Sequence, residues 1–187
     1  AALRIIGSAD DVDLVSTSFL MFWHDDQYLF ADCALNISPS ADDLASIACE
    51  TVETARRFDM SPRVAMLSYS TDGSGSGQSP ERVRRATELA RDRCQCNVDG
   101  EIQFDAAFTR SVREIKLGEP GRPSNVFIFP SLDAANIGYK VAERLGGASA
   151  VGPITQGLAA PVNDLSRGSS TQEIIETAAI TARHAHA

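Results

Sequence analysis

Near the end of the 187-residue sequence stands a run bounded by proline and glycine, Pro161-Val162-Asn163-Asp164-Leu165-Ser166-Arg167-Gly168-Ser169-Ser170, with Glu173 three residues further on. A guanidinium, a hydroxyl and the free N–H groups of a helix start, gathered in one loop, suit an oxyanion. Glu173 adds a carboxylate in the first helical turn. An anion clamp beside a potential base fits the movement of a charged group. A purely structural reading accounts for the same residues. Ser170 and Glu173 make a capping box for the last helix, Asp164 bonds local backbone, and Arg167 pairs with an acid. The residues alone leave these two readings level. In both, a carboxylate at a helix start is held ionised by the helix dipole, so it accepts protons only as a weak base.

Two other segments carry polar groups at meaningful spacing. The loop 70–79 holds Gly73, Gly75 and Gly77 between a strand and a helix start, the layout that cradles phosphates. Its G-x-G-x-G spacing matches neither the dinucleotide fingerprint nor the P-loop, and a flexible surface loop explains it equally well. Asn136 and Lys140 lie four residues apart on one helix face, where they suit an anion or a carbonyl. The plainer account makes Asp133 a helix cap and Lys140 a solvated side chain.

The elements that must position these groups follow from apolar periodicity. Segments 15–22 and 27–33 read as two strands of a hairpin turning at Trp23-His24-Asp25-Asp26. Ser40 caps a helix in a box with Asp43, and Leu44, Ile47, Ala48, Val52 and Ala55 give that helix one apolar face. A buried strand is expected over 63–69, and then a helix with Ser79 as cap and Pro80 in its first position. A short strand at 101–104 precedes a helix capped by Asp105 that reaches Ile115. A strand at 125–129, a helix at 134–145 closed by Gly146-Gly147, a strand at 149–152 and a helix at 171–183 complete the order. Strands alternating with helices predict a layered helix/sheet/helix α/β fold with a largely parallel sheet. In such folds ligands gather at the carboxyl ends of strands, which would place the loops after Tyr69, Phe129 and Gly152 on one rim.

A net charge of −8 argues against broad binding to nucleic acid or to an anionic membrane, so any anion must be held by locally placed arginine, lysine and N–H groups. No apolar run approaches the roughly 20 residues of a membrane span. Cys33, Cys49, Cys94 and Cys96 lack the spacing of a disulfide framework or a zinc site, and reduced thiols are expected.

Several long runs then make the sequence recognisable. They are 30–36 (Phe-Ala-Asp-Cys-Ala-Leu-Asn), 64–71 (Val-Ala-Met-Leu-Ser-Tyr-Ser-Thr), 100–107 (Gly-Glu-Ile-Gln-Phe-Asp-Ala-Ala), 125–130, 136–140, 152–158 and 161–168. In this order, and across nearly the whole chain, the sequence resembles the phosphate acetyltransferase (phosphotransacetylase) family. It departs from that family's usual residues at Asp72, Ser131 and Ala135, and its connector 117–124 is about two residues shorter. The resemblance implies an isocitrate/isopropylmalate dehydrogenase-like fold. It further implies that residues 1–152 form the second α/β domain and that 153–187 return to a first domain mostly absent from this sequence. The chain thus resembles a carboxyl-terminal portion, expected to have little activity alone.

By the same resemblance the reaction joins acetyl phosphate and coenzyme A to give acetyl-coenzyme A and inorganic phosphate, by direct thiolysis. Coenzyme A is a substrate, and no covalently bound cofactor or metal is implied. A cytoplasmic homo-oligomer without nucleic-acid or membrane partners is expected. Glu173 falls at the family's catalytic carboxylate, where aspartate is usual, and is expected to be the general base. Arg167 falls at the arginine that binds acetyl phosphate, and Ser166 at the serine that stabilises the reacting group. Asn163, Asn136 and Lys140 are expected to shape or contact the substrate site. Two alternatives share the fold: an acyl-coenzyme A-sensing module like that ending some malic enzymes, and a phosphate butyryltransferase.

Overall fold

The computed structural model describes residues 2–10, 12–118, 121–165 and 168–185. After a short α1 (Ala2–Ile6), β1 (Ser16–Trp23) and β2 (Asp26–Ala31) form the expected hairpin. Trp23 and Asp26 pair as strand ends, so only His24 and Asp25 turn, and His24 takes the left-handed backbone (φ 53°) that two-residue hairpins require. α2 (Ala41–Arg57) opens with the capping box read from the sequence: the Asp43 N–H donates to Ser40 Oγ (3.1 Å) and the Ser40 N–H to Asp43 Oδ2 (2.8 Å).

The chain continues through β3 (Arg63–Leu67), α3 (Gln78–Arg93), β4 (Asn97–Ile102), α4 (Phe104–Phe108), α5 (Arg110–Leu117), β5 (Val126–Ile128), α6 (Leu132–Arg144), β6 (Ser149–Gln156) and α7 (Thr171–Ala185). Among the described residues six strands make one sheet in the order β4-β3-β5-β2-β1-β6. The pairs β4–β3, β3–β5 and β5–β2 are parallel, while β1 is antiparallel to both β2 and β6. Five of these six described strands therefore point one way and β1 is reversed.

Strand periodicity divides the core between the two faces of the sheet. Leu20, Leu29, Val64, Met66, Val126 and Ile128 face α2 and α3. The residues between them, Phe19, Met21, Phe30, Ala65, Leu67 and Phe127, face α4 and α6. Phe127 is wholly buried, with the rings of Tyr28, Phe30, Phe104 and Phe108 centred 5.1–6.4 Å away.

Several boundaries differ from the sequence reading for local reasons. α3 begins at Gln78, not Pro80, because Gly77 (φ 132°) makes the bend and leaves Ser79 inside the first turn. α6 begins at Leu132 because Ser131, not Asp133, is the cap, its Oγ accepting the Ala134 N–H at 3.3 Å. The strand expected at 101–104 runs from Asn97 to Ile102. The helix expected from Asp105 to Ile115 is two helices, parted by extended backbone at Thr109. β6 continues past Gly152 to Gln156, because β1 pairs with it up to Ser16–Gln156. The expected boundary at residue 152 thus falls inside a strand.

The thiols also differ from expectation. Cys49 of α2 and Cys94 at the end of α3 form a disulfide (Cα–Cα 5.1 Å), while Cys33 is buried and free and Cys96 is half-buried and free. The packing of α2 on α3 brings the pair together across 45 residues, which sequence spacing does not reveal.

Removing the central ring should cost far more than removing the helix cap. Phe127→Ala is expected to destabilise the chain by about 3–5 kcal/mol. Ser40→Ala should cost about 1 kcal/mol. Urea unfolding of the two variants measures both, and equal losses would contradict this placing of the core.

Candidate active site

Where the chain leaves β2 it passes Cys33 and Ala34, which border a cavity of about 460 Å³. α6 supplies one wall with Asn136, Tyr139, Lys140, Glu143 and Arg144. Opposite lie β6 at Ala150–Pro153, the loop residues Asp164, Leu165, Gly168 and Ser169, and Glu173 and Thr177 of α7. The cavity exists because α7 lies along the outer strand β6. Glu173 and Thr177 reach the side of α6, while Ile180 packs into the core on the other side.

Asn136, Lys140 and Glu173 therefore converge, although 33 positions separate Lys140 from Glu173 in sequence. Asn136 Nδ2 donates to the Cys33 carbonyl (3.1 Å), and Asn136 Oδ1 accepts from Lys140 Nζ (2.6 Å). The ammonium also stands 5.6 Å from the centroid of the Tyr139 ring, which stacks on Phe19 at 4.2 Å. Burial, with Cys33 and Glu143 nearby, pushes the Tyr139 hydroxyl up from its ordinary pKa.

Glu173 is fixed by the capping box. Its Oε2 accepts the Ser170 N–H at 2.6 Å, and the Glu173 N–H donates to Ser170 Oγ at 3.2 Å. These bonds, the backbone one first, hold its carboxyl below the usual value, and the charge of Arg144 acts in the same direction. Asn163 acts from outside the cavity as a clip: its Oδ1 accepts the Thr155 N–H (2.9 Å) and its Nδ2 donates to Thr181 Oγ1 (2.8 Å). It ties the loop to β6 and α7 with both ends of its amide. Ser166 and Arg167 lie outside the described residues.

Arg144 is the site cation that the sequence reading passed over. Asn136, Lys140 and Arg144 repeat at four-residue intervals, so one more turn of the spacing already noted would have reached it. Its guanidinium meets Glu143 at 3.4 Å and is otherwise largely open to solvent.

The glycine loop does something else. Glu101, 3% exposed, sits beneath it. Ser70 Oγ (2.6 Å) and the Gly73 N–H (2.9 Å) donate to Glu101 Oε1, and Arg84 Nε donates to Oε2 (2.8 Å). The Gly75 N–H donates to Ser70 Oγ at 2.8 Å, and a side chain at Gly75 would strike the Tyr69 ring at 2.9 Å. The loop is thus neither loose nor vacant: it is built around an anion from its own chain.

An α/β sheet thus carries a cavity beside its strand ends, lined by Lys140 and Arg144, by the carboxylates of Glu143 and Asp164, and by Glu173 fixed at a helix start. The chain belongs to the family described as phosphate acetyl/butaryl transferase, whose profile matches residues 1–182. It is 51% identical to the phosphate acetyltransferase of Bacillus subtilis (strain 168) over 187 residues, and 48% identical over 193 residues to that of Thermoanaerobacterium thermosaccharolyticum. These alignments cover 98% and 97% of the chain but 58% of each relative. Among solved structures, a phosphotransacetylase from Streptococcus pyogenes superimposes with a TM-score of 0.94 at 48% identity, and the EutD phosphotransacetylase from Staphylococcus aureus with 0.92 at 46%. They are covered over 58% of their length, by 99% and 98% of this chain respectively. A 4-hydroxythreonine-4-phosphate dehydrogenase from Klebsiella pneumoniae, 12% identical with a TM-score of 0.62, shares the fold.

The Glu101 cradle carries a pH signature. Burial alone would raise this carboxyl, but donation from Ser70, Gly73 and Arg84 outweighs it and holds the group below its ordinary value of 4.5. A lowered folded pKa stabilises above the unfolded value and is lost as pH falls through the folded one. Acidification below the ordinary carboxylate range should therefore destabilise the wild-type chain more steeply than Glu101→Gln. Thermal unfolding across that range measures the difference, and parallel curves would contradict the cradle.

Proposed function

We propose that this chain is part of a phosphate acetyltransferase and carries one wall of its catalytic cleft. The convergence of Lys140, Arg144 and Glu173 on one cavity is the observation that carries this reading, and family membership supplies its chemistry. The chain spans 58% of its relatives' length, so the cleft is completed by the rest of the parent protein. Ile174 and Ile175, 47% and 57% exposed on α7, offer an apolar surface for that remainder, in keeping with a segment 153–187 that joins the first domain.

The reaction requires a thiol with an ordinary pKa of about 8.5 to lose its proton, and an acyl carbonyl to be attacked while phosphate is held. Glu173 takes the thiol proton. The sulfur then bonds to the carbonyl carbon of acetyl phosphate, the bond from that carbon to the phosphate oxygen breaks, and phosphate leaves with the electron pair. Lys140 and Arg144 hold the anionic groups of the substrates, Arg144 through a fork that matches phosphate oxygens. To Ser166 and Arg167, which lie outside the described residues, the family resemblance assigns the holding and polarising of the acyl phosphate. Coenzyme A enters as substrate.

Expected outcomes in the full-length parent follow from these roles. Glu173→Gln should lower kcat by roughly 10²–10⁴-fold, with KM for either substrate little changed. Because the Glu173 carboxyl is held low, its acid limb in the pH profile of kcat should lie below the ordinary carboxylate range. Undiminished turnover by Glu173→Gln, or an acid limb near neutrality that this substitution abolishes, would sink the assignment. Arg144→Ala should raise KM for one anionic substrate by about tenfold, the scale of one lost charge-assisted hydrogen bond. The 187-residue chain alone should show little turnover, and comparing acetyl with butyryl phosphate in the parent tests the acyl preference.

A further inference from the structure

Asp32 follows β2 directly and is 2% exposed. Its Oδ1 accepts from Thr17 Oγ1, from the Ala34 N–H (3.0 Å) and from the Leu35 N–H (3.3 Å). Its Oδ2 accepts from the Asn36 N–H (2.9 Å) and Asn36 Nδ2 (2.5 Å). Thr17 Oγ1 also accepts the Ala34 N–H at 2.9 Å, and Asn36 Nδ2 also donates to the Val15 carbonyl at 3.1 Å. One carboxylate thus draws the turn 33–36 around itself and pins it to the start of β1. All five donors are neutral.

That turn is part of the cavity. Cys33 and Ala34 line it, and the Cys33 carbonyl receives Asn136 Nδ2. An amide bound in this way has no freedom to exchange its ends. With Nδ2 on the carbonyl, Oδ1 must face Lys140, which it binds at 2.6 Å. Lysine has a flexible four-carbon stem, and an ammonium needs such an anchor to hold one position.

We propose that Asp32 is a positioning residue of the cavity. By gathering the 33–36 turn it fixes the Cys33 carbonyl, which orients Asn136 and, through it, the Lys140 ammonium. The proposal rests on the acyltransferase reading of the site. Asp32→Asn keeps one acceptor oxygen but sets an NH₂ group against the Asn36 N–H and Nδ2, donor facing donor, so the far half of the turn is released. Asn36→Ala loosens the same turn while leaving the carboxylate intact.

Steady-state kinetics of the full-length parent tests this, alongside circular dichroism of each variant. Asp32→Asn should raise KM for one anionic substrate by about tenfold, the scale of a misdirected charged hydrogen bond, with kcat changed less than about twofold. Asn36→Ala should move the same KM in the same direction by a smaller factor. In a Lys140→Met background the Asp32→Asn effect should shrink below about twofold, because residues acting through one contact are not additive. A folded Asp32→Asn with unchanged KM, or a KM effect that persists undiminished in Lys140→Met, overturns the proposal. Should Asp32→Asn not fold, Asn36→Ala decides: an unchanged KM overturns the proposal, and a raised KM that disappears in Lys140→Met supports it. If Lys140→Met leaves KM unmoved and Glu173→Gln leaves kcat unmoved, the acyltransferase reading itself has failed. If Lys140→Met raises KM and the turn variants do not, only the positioning role has failed.

Discussion

A carboxylate taken out of water must be ringed by donors, because an uncompensated buried charge costs several kcal/mol. Where a strand ends and the chain leaves the sheet, backbone N–H groups lose their ladder partners and need acceptors. At two strand ends of this sheet these requirements answer each other. Asp32 after β2 and Glu101 in β4 are each almost wholly buried, and each is wrapped by a loop whose N–H and hydroxyl groups point inward. The shape of the strand-end edge depends on these two internal anions. They also differ in consequence. Glu101 takes the Ser70 hydroxyl and the Gly73 N–H of the glycine loop and so draws that loop inward. Asp32 holds its turn from beneath and leaves the Cys33 carbonyl free to act toward the cavity.

The reversal of β1 supplies the other half of the geometry. A chain of uniformly parallel strands would bring each new strand in behind a helix. Here β1 lies antiparallel to both neighbours, so β6 can join the edge and still run in the direction of β2. The chain therefore leaves β6 at the same end of the sheet where it leaves β2. α6 stands on one side of the resulting gap and the start of α7 on the other. Asn163 secures that arrangement by bonding β6 and α7 at once.

Much of this was legible in the sequence where one local rule decided the outcome. Ser40 with Asp43 and Ser170 with Glu173 have the capping-box spacing, and both boxes form. The alternation of Phe19, Leu20 and Met21, or of Val126, Phe127 and Ile128, divides the core as strand periodicity requires. The reading failed where a partner distant in sequence decides. Nothing local in Gly73–Gly77 says that the Gly73 N–H is taken by Glu101, and nothing in the cysteine spacing says that α2 and α3 bring Cys49 to Cys94. The run 161–170 could not choose between clamp and cap because the distinction lies in what faces it. α6 faces it, with Lys140 and Arg144. Of the two, the cap is observed, and its bonds fix the carboxylate that borders the cavity.

That double use has a chemical cost. The bonds from Ser170 that hold Glu173 in place also stabilise its ionised form and make it a poorer base, several pKa units weaker than a thiolate. A base of this kind cannot work by strength. Proton transfer becomes feasible when the thiol's own pKa is lowered, and cations nearby have that effect. Lys140 and Arg144 share the cavity with Glu173, Glu143 and Asp164, so in the proposed reaction the two cations would have to stand nearer the thiol than the carboxylates do to favour a thiolate over a thiol. In the proposed reaction, then, the α6 cations and the α7 carboxylate divide one task. Glu173 contributes a fixed position, and the cations contribute the driving force. A catalyst built this way depends on geometry more than on the acidity of any single group. In keeping with that proposal, five donors are committed to Asp32 in the turn beneath Asn136, and both ends of the Asn163 amide to the loop beside Glu173.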